Sequence, residues 1–563
     1  MTIIYAGDIH GNVDAIKTID AIAQILKKEG ITFLSAYPTT PIIESVSDID
    51  VRPVLCRQER VGVDIADGYS RVTNGNPPGV FAMQYGPGAE NAYSGVATAY
   101  SDGTPILLLP LGHPTDRHGI APHFDSMVSF ASVSKYIEQI NTPNRVSDVI
   151  RRAFAALRQG RPGPVMVETP ADVALQDVSE EAFFYKPSRS MICQADPRDV
   201  ETAAHALCQA KYPVILAGQG VMYAQATPEL TELAELLQVP VMSTLLGKSA
   251  FSETHPLALG SGSGVMSGPV HHFVRRSDVI FGIGTSFTKH GMCMNLPPGK
   301  MLIQATNDDR DINKDYNIDL PMVGDAKLIL RQMIDACREI VGNSRQGDDA
   351  TAREIRSERD AWLKDWNQKL TSNERPISPY RVIWDFMHTV PPEEAIITHD
   401  SGSPRDQITP FYRSNGPRTY LGWGKSHGLG TGLGLIIGAK LAEPEKVCVN
   451  FMGDAAFGMV GLDFEPAVRS RIPIITVVLN NGTMAVETNA MAASHALYNT
   501  RDLGGNYADM GRAMGGYAER IEDPADIGPA FQRARRVTEQ EGQAVLLEFI
   551  TTSETETSFR RAF

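Results

Sequence analysis

"KVCVNFMGDAAFGMVGLDFEPAVRSRIPIITVVLNNGTMAVE", residues 446–487, decides the fold class of this chain. The apolar runs "KVCVNFM" and "IPIITVVL" are predicted to be neighbouring buried strands of a parallel sheet, because a helical segment, "LDFEPAVRS", separates them. Ligands of open parallel sheets lie beyond the carboxyl ends of the strands. Asp454 and Asn481 follow the two runs, so we expect their side chains to converge there.

The residue types at this edge point to a metal bound together with a diphosphate. A carboxylate oxygen, an amide oxygen and a backbone carbonyl are hard ligands of the kind that Mg²⁺ prefers. The backbone N–H groups around Gly453 and Ala455 suit a diphosphate. In a purely structural alternative, Asp454 caps a helix and the pair Asn480 and Asn481 forms a turn. The stretch by itself leaves both interpretations open.

Strands and helices alternate along the rest of the chain in three blocks, with "PILLLPLG", "PVILAGQGV" and "EAIITHD" among the predicted strands. Such alternation favours parallel sheets covered by helices. We therefore predict an α/β protein with three doubly wound parallel-sheet domains. The predicted domains are residues 1–187, 195–345 and 375–555, followed by a C-terminal tail, residues 556–563.

Composition excludes several other classes of protein. The net charge of the 563 residues is −14, which argues against a sequence-independent grip on nucleic acid. No apolar run approaches the length of about 20 residues that a membrane span needs, and the N-terminus lacks the pattern of a secretory signal. The six cysteines are scattered without a CxxC pair, which is typical of buried thiols in a reducing compartment. We expect a cytoplasmic protein.

The spacing of "GD" and "NN" in the opening stretch resembles the diphosphate motif of thiamine diphosphate (ThDP)-dependent enzymes. Ala455 replaces the third Gly of that motif, at a position where only the backbone matters. The resemblance implies that Asp454, Asn481 and the carbonyl of Thr483 hold Mg²⁺. It also places Gly453, Ala455 and Ala456 against the diphosphate.

Two further stretches resemble the acetolactate synthase and pyruvate decarboxylase branch of the same family. Residues 56–112, with "ADGYSR" and "GPGAENA", are similar to its pyrimidine-binding domain, where Glu59 would hydrogen-bond N1′ of the aminopyrimidine. Residues 420–444 place Leu429 as the apolar wedge under the cofactor and the His427 carbonyl near N4′. Ser403 is a further implied cofactor contact.

These matches imply an order of pyrimidine-binding, middle and diphosphate-binding domains. In this family the active site forms between subunits, so a homodimer or homotetramer is implied.

Departures from acetolactate synthases bear on the substrate. The segment "NNGTMAVE" puts Val486 and Glu487 where pyruvate decarboxylases have an Ile-Glu pair, and Ala490 stands where acetolactate synthases have a substrate-selecting Trp. Thr40, Gln84, His113 and His123 are the other side chains expected to face the reacting carbon. Each of them has a structural alternative as a group that satisfies local backbone hydrogen bonds.

The resemblance leads to a ThDP- and Mg²⁺-dependent enzyme that cleaves or forms a C–C bond next to a carbonyl in a small-molecule substrate. The first hypothesis is a 2-oxoacid decarboxylase or carboligase resembling acetolactate synthase. The alternatives are a lyase acting on a 2-hydroxyacyl-CoA or a diketone, and a non-catalytic ThDP-binding homologue.

Two features leave room for further ligands. Some relatives bind FAD or a nucleotide in the middle domain, and "GIGTSFTKHGM" and "IQATNDDRDINK" could contact one. The edges of parallel sheets have the same kind of sequence without any ligand, so the sequence does not support this occupancy. Arg560 and Arg561 in the tail would either close over an anionic substrate or belong to an ordinary solvated terminus, which is the expected case.

Overall fold

The computed structural model describes residues 16–38, 40–342 and 349–563. Within these residues, three six-stranded sheets built entirely from parallel pairs form the centres of three successive α/β units. The predicted fold class is therefore confirmed. None of the described helices is long and apolar enough to cross a membrane.

The first sheet has the strand order β3-β2-β4-β5-β7-β6, and a small antiparallel pair joins β1 to β8. Its strands are β1 (Ile16–Lys17), β2 (Phe33–Ala36), β3 (Arg52–Leu55), β4 (Gly79–Met83), β5 (Ile106–Gly112), β6 (Tyr136–Gln139), β7 (Val165–Pro170) and β8 (Asp177–Val178). Its helices are α1 (Thr18–Lys28), α2 (Ile42–Ser47), α3 (Glu59–Thr73), α4 (Pro87–Asp102), α5 (Ser126–Phe130), α6 (Val146–Arg158) and α7 (Ala171–Ala174).

The second sheet has the order β11-β10-β9-β12-β13-β14. Its strands are β9 (Pro213–Ala217), β10 (Val241–Thr244), β11 (Ala258–Gly262), β12 (Val279–Ile283), β13 (Met301–Thr306) and β14 (Leu320–Val323). Its helices are α8 (Pro197–Gln209), α9 (Gln219–Tyr223), α10 (Thr227–Leu237), α11 (Gly268–Arg276) and α12 (Ala326–Val341), and α13 (Ala350–Leu370) leads to the next unit.

The third sheet has the order β16-β15-β17-β18-β20-β19. Its strands are β15 (Ala395–His399), β16 (Tyr420–Leu421), β17 (Val447–Gly453), β18 (Ile475–Asn480), β19 (Tyr517–Ile521) and β20 (Val545–Ile550). Its helices are α14 (Pro379–Thr389), α15 (Ser403–Phe411), α16 (Thr431–Ala442), α17 (Asp454–Val460), α18 (Phe464–Arg469), α19 (Ala492–Tyr498), α20 (Tyr507–Ala513) and α21 (Ile527–Arg536).

Each sheet has its own buried apolar core, and a close helix crossing joins the first unit to the third. Glycines make the crossing of α3 with α16 possible, because a Cβ on Gly68 would lie 2.1 Å from the carbonyl oxygen of Leu435. A Cβ on Gly438 would lie equally close to the carbonyl oxygen of Ile65. The two backbones therefore touch directly, and the start of α3 and the start of α16 have fixed relative positions.

Candidate active site

The strands β17 and β18 pair in parallel, as the opening stretch predicts, and their carboxyl ends meet. The Asp454 carboxylate accepts a hydrogen bond of 2.8 Å from the N–H of Ala455 and another of 2.8 Å from the N–H of Gly482. The second bond joins the end of β17 to the loop that carries Asn481 and Thr483. The side chain of Asp454 is buried, and burial raises the pKa of its carboxyl group.

The two adjacent carboxamides have different surroundings. Asn480 donates from Nδ2 to Glu548 Oε1 at 2.7 Å and accepts the Gly482 N–H at 3.1 Å, so it holds the loop to β20. Asn481 is half-buried, and its Oδ1 accepts only the Thr483 N–H, at 3.0 Å, among the described residues. An amide oxygen that keeps a free lone pair beside a carboxylate fits the ligand set of Mg²⁺.

The loop before α16 lies at the same edge of the sheet as Asp454. Leu429 packs half-buried against the core cluster that contains Met452 and Phe457, whereas His427 is exposed, with its ring 6.2 Å from the ring of His290. Asp400, just after β15, accepts the N–H groups of Gly430 and Gly432 at 2.9 and 3.0 Å. The position of the Leu429 side chain is thereby set by the end of a neighbouring strand.

The other predicted cofactor contacts lie around this edge. Ser403 begins α15 and is half-buried, Gly453 precedes α17, and Ala456 is fully buried within that helix. Val486 and Glu487 belong to a 3-10 helix, Ala485–Glu487, beyond the loop that carries Asn481 and Thr483, and Val486 is 47% exposed. Glu487 has no hydrogen bond or ion pair from its carboxylate within the described part of the chain, so this group is free for a substrate.

Glu59 is the first residue of α3, and a short connection, residues 56–58, joins it to β3. Its side chain is 4% exposed and accepts a hydrogen bond of 3.2 Å from Asn91 Nδ2. Burial raises the pKa of the Glu59 carboxyl group. A carboxyl group that resists ionisation is suited to donating or sharing a proton near neutral pH.

The predicted substrate-facing residues of the first unit follow three neighbouring parallel strands. Thr40 comes after β2, Gln84 directly follows β4, and His113 directly follows β5. The ring of His113 lies 4.5 Å from the ring of His123 and 4.7 Å from that of Tyr85. These side chains therefore emerge at one edge of the sheet, which is also the edge where Glu59 begins α3.

The two imidazoles differ in their exposure to solvent. His123 is exposed, whereas Nε2 of His113 is buried and has no hydrogen-bond partner within the described residues. Burial lowers the pKa of His113, and the neighbouring His123 lowers it further. Both effects disfavour the charged form of the His113 imidazole.

A cavity of about 740 Å³ lies beyond the carboxyl ends of the central strands of the middle unit, and residues of the first unit such as Asp102 and Arg161 complete its wall. Gly218, Thr244, Gly284 and Thr306 line it where β9, β10, β12 and β13 end. Both segments predicted to contact a nucleotide contribute to its wall. Its volume is in the range of small-molecule sites. Binding of FAD or a nucleotide in this cavity stays unsupported.

Part of the C-terminal tail packs on the middle unit, although Arg560 and Arg561 themselves are exposed, as expected for a solvated terminus. Ser558 is buried, donates to the Met266 carbonyl at 2.7 Å and accepts from Trp362 Nε1 at 3.0 Å. The ring of Phe559 stacks on His271 with 4.3 Å between centroids. The stacked ring of Phe559 and the buried hydroxyl of Ser558 therefore hold the tail against the middle unit.

Three side chains around the site were not found from the sequence. Asn91 bonds Glu59, Glu548 holds Asn480, and Asp463 contacts the backbone just before Glu59. Asn91 lies within the "GAENA" motif, so the sequence identified the segment but not this residue. Glu548 and Asp463 lie far from their partners in sequence, and only the folded chain brings them together.

Comparisons with known proteins agree with this geometry. Three family models match the chain: the N-terminal TPP binding domain of thiamine pyrophosphate enzymes over residues 16–133, their central domain over 200–333, and their C-terminal TPP binding domain over 400–549. Together these matches cover well over half of the chain.

Curated relatives align along nearly the whole chain. A protein named as a probable acetolactate synthase large subunit from Methanococcus aeolicus is 29% identical over 92% of this chain and 89% of its own length. The sulfoacetaldehyde acetyltransferase of Alcaligenes xylosoxydans xylosoxydans is 26% identical over 94% and 91%, and the glyoxylate carboligase of Escherichia coli O157:H7 is 26% identical over 95% and 93%. The chain belongs to the thiamine diphosphate-dependent enzymes, in the branch of acetolactate synthase.

Proposed function

We propose that this enzyme uses ThDP and Mg²⁺ to cleave or form a C–C bond next to a carbonyl group, acting on 2-oxoacids as a decarboxylase or carboligase. One observation carries the proposal: the 2.8 Å hydrogen bond from the Gly482 N–H to Asp454 brings the predicted metal ligands together. The relatives named for acetolactate synthesis and glyoxylate carboligation support the same reaction class.

Asp454, Asn481 and the carbonyl of Thr483 would hold Mg²⁺ at the diphosphate. The Asp454 carboxylate already receives two N–H groups, which fix its orientation without using all of its lone pairs. When bound, ThDP supplies a nucleophilic thiazolium carbon and an electron sink for the bond next to the substrate carbonyl. On this side of the site, the residues of the chain would bind Mg²⁺ and the diphosphate and orient them.

Glu59 would hold a proton against the aminopyrimidine ring. Its raised pKa and its buried side chain both favour a shared proton over a fully solvated carboxylate. Asn91 keeps the carboxyl group in one orientation through its 3.2 Å hydrogen bond. The Glu59→Gln variant removes this proton while preserving the shape of the side chain.

At the substrate end, His113, whose pKa is lowered by burial, and the carboxylate of Glu487 are the groups suited to moving protons. The unpartnered Nε2 of His113 can accept or donate a hydrogen bond. Glu487 is half-buried and has no competing partner in the described chain. Thr40, Gln84 and His123 would orient the substrate carbonyl or carboxylate between them.

We expect the working enzyme to be a homodimer or homotetramer with sites between subunits. Large apolar side chains are exposed near both halves of the site: Ile120 and Val128 in the first unit, and Leu462, Leu497 and Tyr498 in the third. Sedimentation equilibrium of the purified protein tests this point. A monomer that retains activity would contradict it.

The deciding experiment is an assay of CO₂ release from a panel of 2-oxoacids, with ThDP and Mg²⁺ present and the Glu59→Gln variant as the control. We expect at least one 2-oxoacid to be consumed by the wild type and not by the variant. The second candidate is a lyase on a 2-hydroxyacyl-CoA or diketone, which the cavity of about 740 Å³ at the strand ends of the middle unit favours because its volume suits a large ligand. Cleavage of such a substrate with no 2-oxoacid consumed would establish the second candidate.

A further inference from the structure

Helix α3, which begins with Glu59, lacks a capping side chain of its own. Its N-cap residue is Gln58, whose backbone is extended and whose side chain makes no capping hydrogen bond. The Gln58 Oε1 atom is buried without a partner in the described structure. The N–H groups at the start of a helix need acceptors, so another part of the protein has to supply them.

Asp463 supplies an acceptor from the third unit. Its Oδ1 accepts the N–H of Arg57 at 2.8 Å and the N–H of Gln58 at 3.2 Å. The side chain is almost fully buried. Burial raises its pKa to about 6, while the two N–H groups and the charges of Arg57 and Arg60 oppose that rise. Near neutral pH a carboxylate therefore faces the start of α3, where negative charge is favoured.

The surrounding contacts form a continuous junction between the two units. We call residues 461–469 the docking segment. Within it Glu465 pairs with Arg57 at 3.0 Å, and Arg469 donates to the Leu55 carbonyl at 2.7 Å. The docking segment directly follows α17, the helix that begins at Asp454.

We propose that Asp463 is a positioning residue that fixes the carboxyl group of Glu59 by tying down the backbone immediately before it. The inference rests on the function proposed above for Glu59. Asp463 itself touches neither cofactor nor substrate. Because the docking segment continues from α17, the backbone next to the metal ligand Asp454 and the backbone next to Glu59 are joined by one short, well-contacted segment.

The first test needs no cofactor. Hydrogen exchange of peptides covering residues 56–62 is compared between the wild type, Asp463→Ala, Asp463→Asn and the control Glu465→Gln. We expect the amides of Arg57 and Gln58 to exchange at least about tenfold faster in Asp463→Ala, and less so in Asp463→Asn, which keeps an acceptor oxygen. Glu465→Gln should leave them near the wild-type rate. Unchanged exchange in Asp463→Ala would overturn the inference.

The second test measures proton exchange at thiazolium C2 in the holoenzyme, with ThDP affinity measured alongside. A displacement of about 1 Å at a reacting group can cost about a hundredfold in rate. We expect Asp463→Ala to slow the exchange between about tenfold and a hundredfold, with ThDP binding within about twofold of the wild type. Asp463→Asn should recover part of the rate.

Two outcomes separate the inference from the function on which it rests. If Glu59→Gln leaves C2 exchange unchanged, the role of Glu59 in the proposed function is wrong. If Glu59→Gln stops exchange but Asp463→Ala has the wild-type rate, only the inference fails. In the Glu59→Gln background, Asp463→Ala should slow the exchange no further; an additional loss there would show a general structural role and overturn the inference.

Discussion

Replacing each member of the carboxamide pair should give opposite results, although the two residues are adjacent. Asn480→Ala removes one hydrogen-bond donor from Glu548, whose carboxylate is fully buried. The Ala508 N–H still donates to this carboxylate, at 2.8 Å, in the variant. Loss of a hydrogen bond to a buried charged group costs about 2 kcal/mol. For a unit of this size, we expect the unfolding midpoint of the cofactor-free protein to fall by about 4 to 8 °C.

Asn481→Ala should leave the cofactor-free protein within about 0.5 kcal/mol of the wild type, since the half-buried Asn481 side chain bonds only the nearby Thr483 N–H among the described residues. It should instead abolish most of the stabilisation that ThDP and Mg²⁺ give, because that stabilisation follows ligand affinity. Differential scanning fluorimetry with and without ThDP and Mg²⁺ measures both effects. The reasoning is refuted if Asn480→Ala unfolds at the wild-type temperature or if Asn481→Ala is stabilised as strongly as the wild type.

Three further expectations follow from the packing and the charges. Gly438→Ala would bring a Cβ to 2.1 Å from a carbonyl oxygen of α3, so its thermal midpoint should fall by an amount equivalent to at least about 1 to 3 kcal/mol. The pKa of Asp463 is raised in the folded protein, so its contribution to stability is lost as pH rises through about 6. The free energy of unfolding of Asp463→Asn relative to the wild type should therefore increase between pH 4 and pH 7, by up to about 3 kcal/mol in urea titrations. Ser558→Ala leaves the Trp362 indole N–H buried without its acceptor, and limited proteolysis should then release the tail faster than in the wild type.

The sequence predicted the fold well because the decisive strands are continuous apolar runs separated by helices. The positions of Asp454, Asn481, Gln84 and His113 at carboxyl ends of strands follow from that pattern. Their convergence is a property of parallel sheets in general. The edge of the third sheet that carries Asp454 and Asn481, and the edge of the first sheet that carries Gln84 and His113, were therefore each predictable from local sequence.

Contacts between units were not predictable in the same way. Asp463 and Glu548 meet Arg57 and Asn480, which are 406 and 68 residues away in sequence, and neither lies in a pattern with a fixed period or spacing. The docked tail escaped prediction because Ser558 and Phe559 stand in a polar stretch, and a buried site for them exists only on the folded middle unit. A single sequence has no local pattern that predicts polar contacts between distant residues.

The most direct test of the central claim is calorimetric titration of ThDP into the wild type and into Asp454→Asn, each with Mg²⁺ and with a chelator. We predict one ThDP per chain for the wild type with Mg²⁺ and little binding with the chelator. In Asp454→Asn the affinity should fall at least about a hundredfold, because a buried charge that faces the metal is lost. Equal ThDP affinity with and without Mg²⁺, or undiminished affinity in Asp454→Asn, would contradict the assignment of this sheet edge as the metal and diphosphate site.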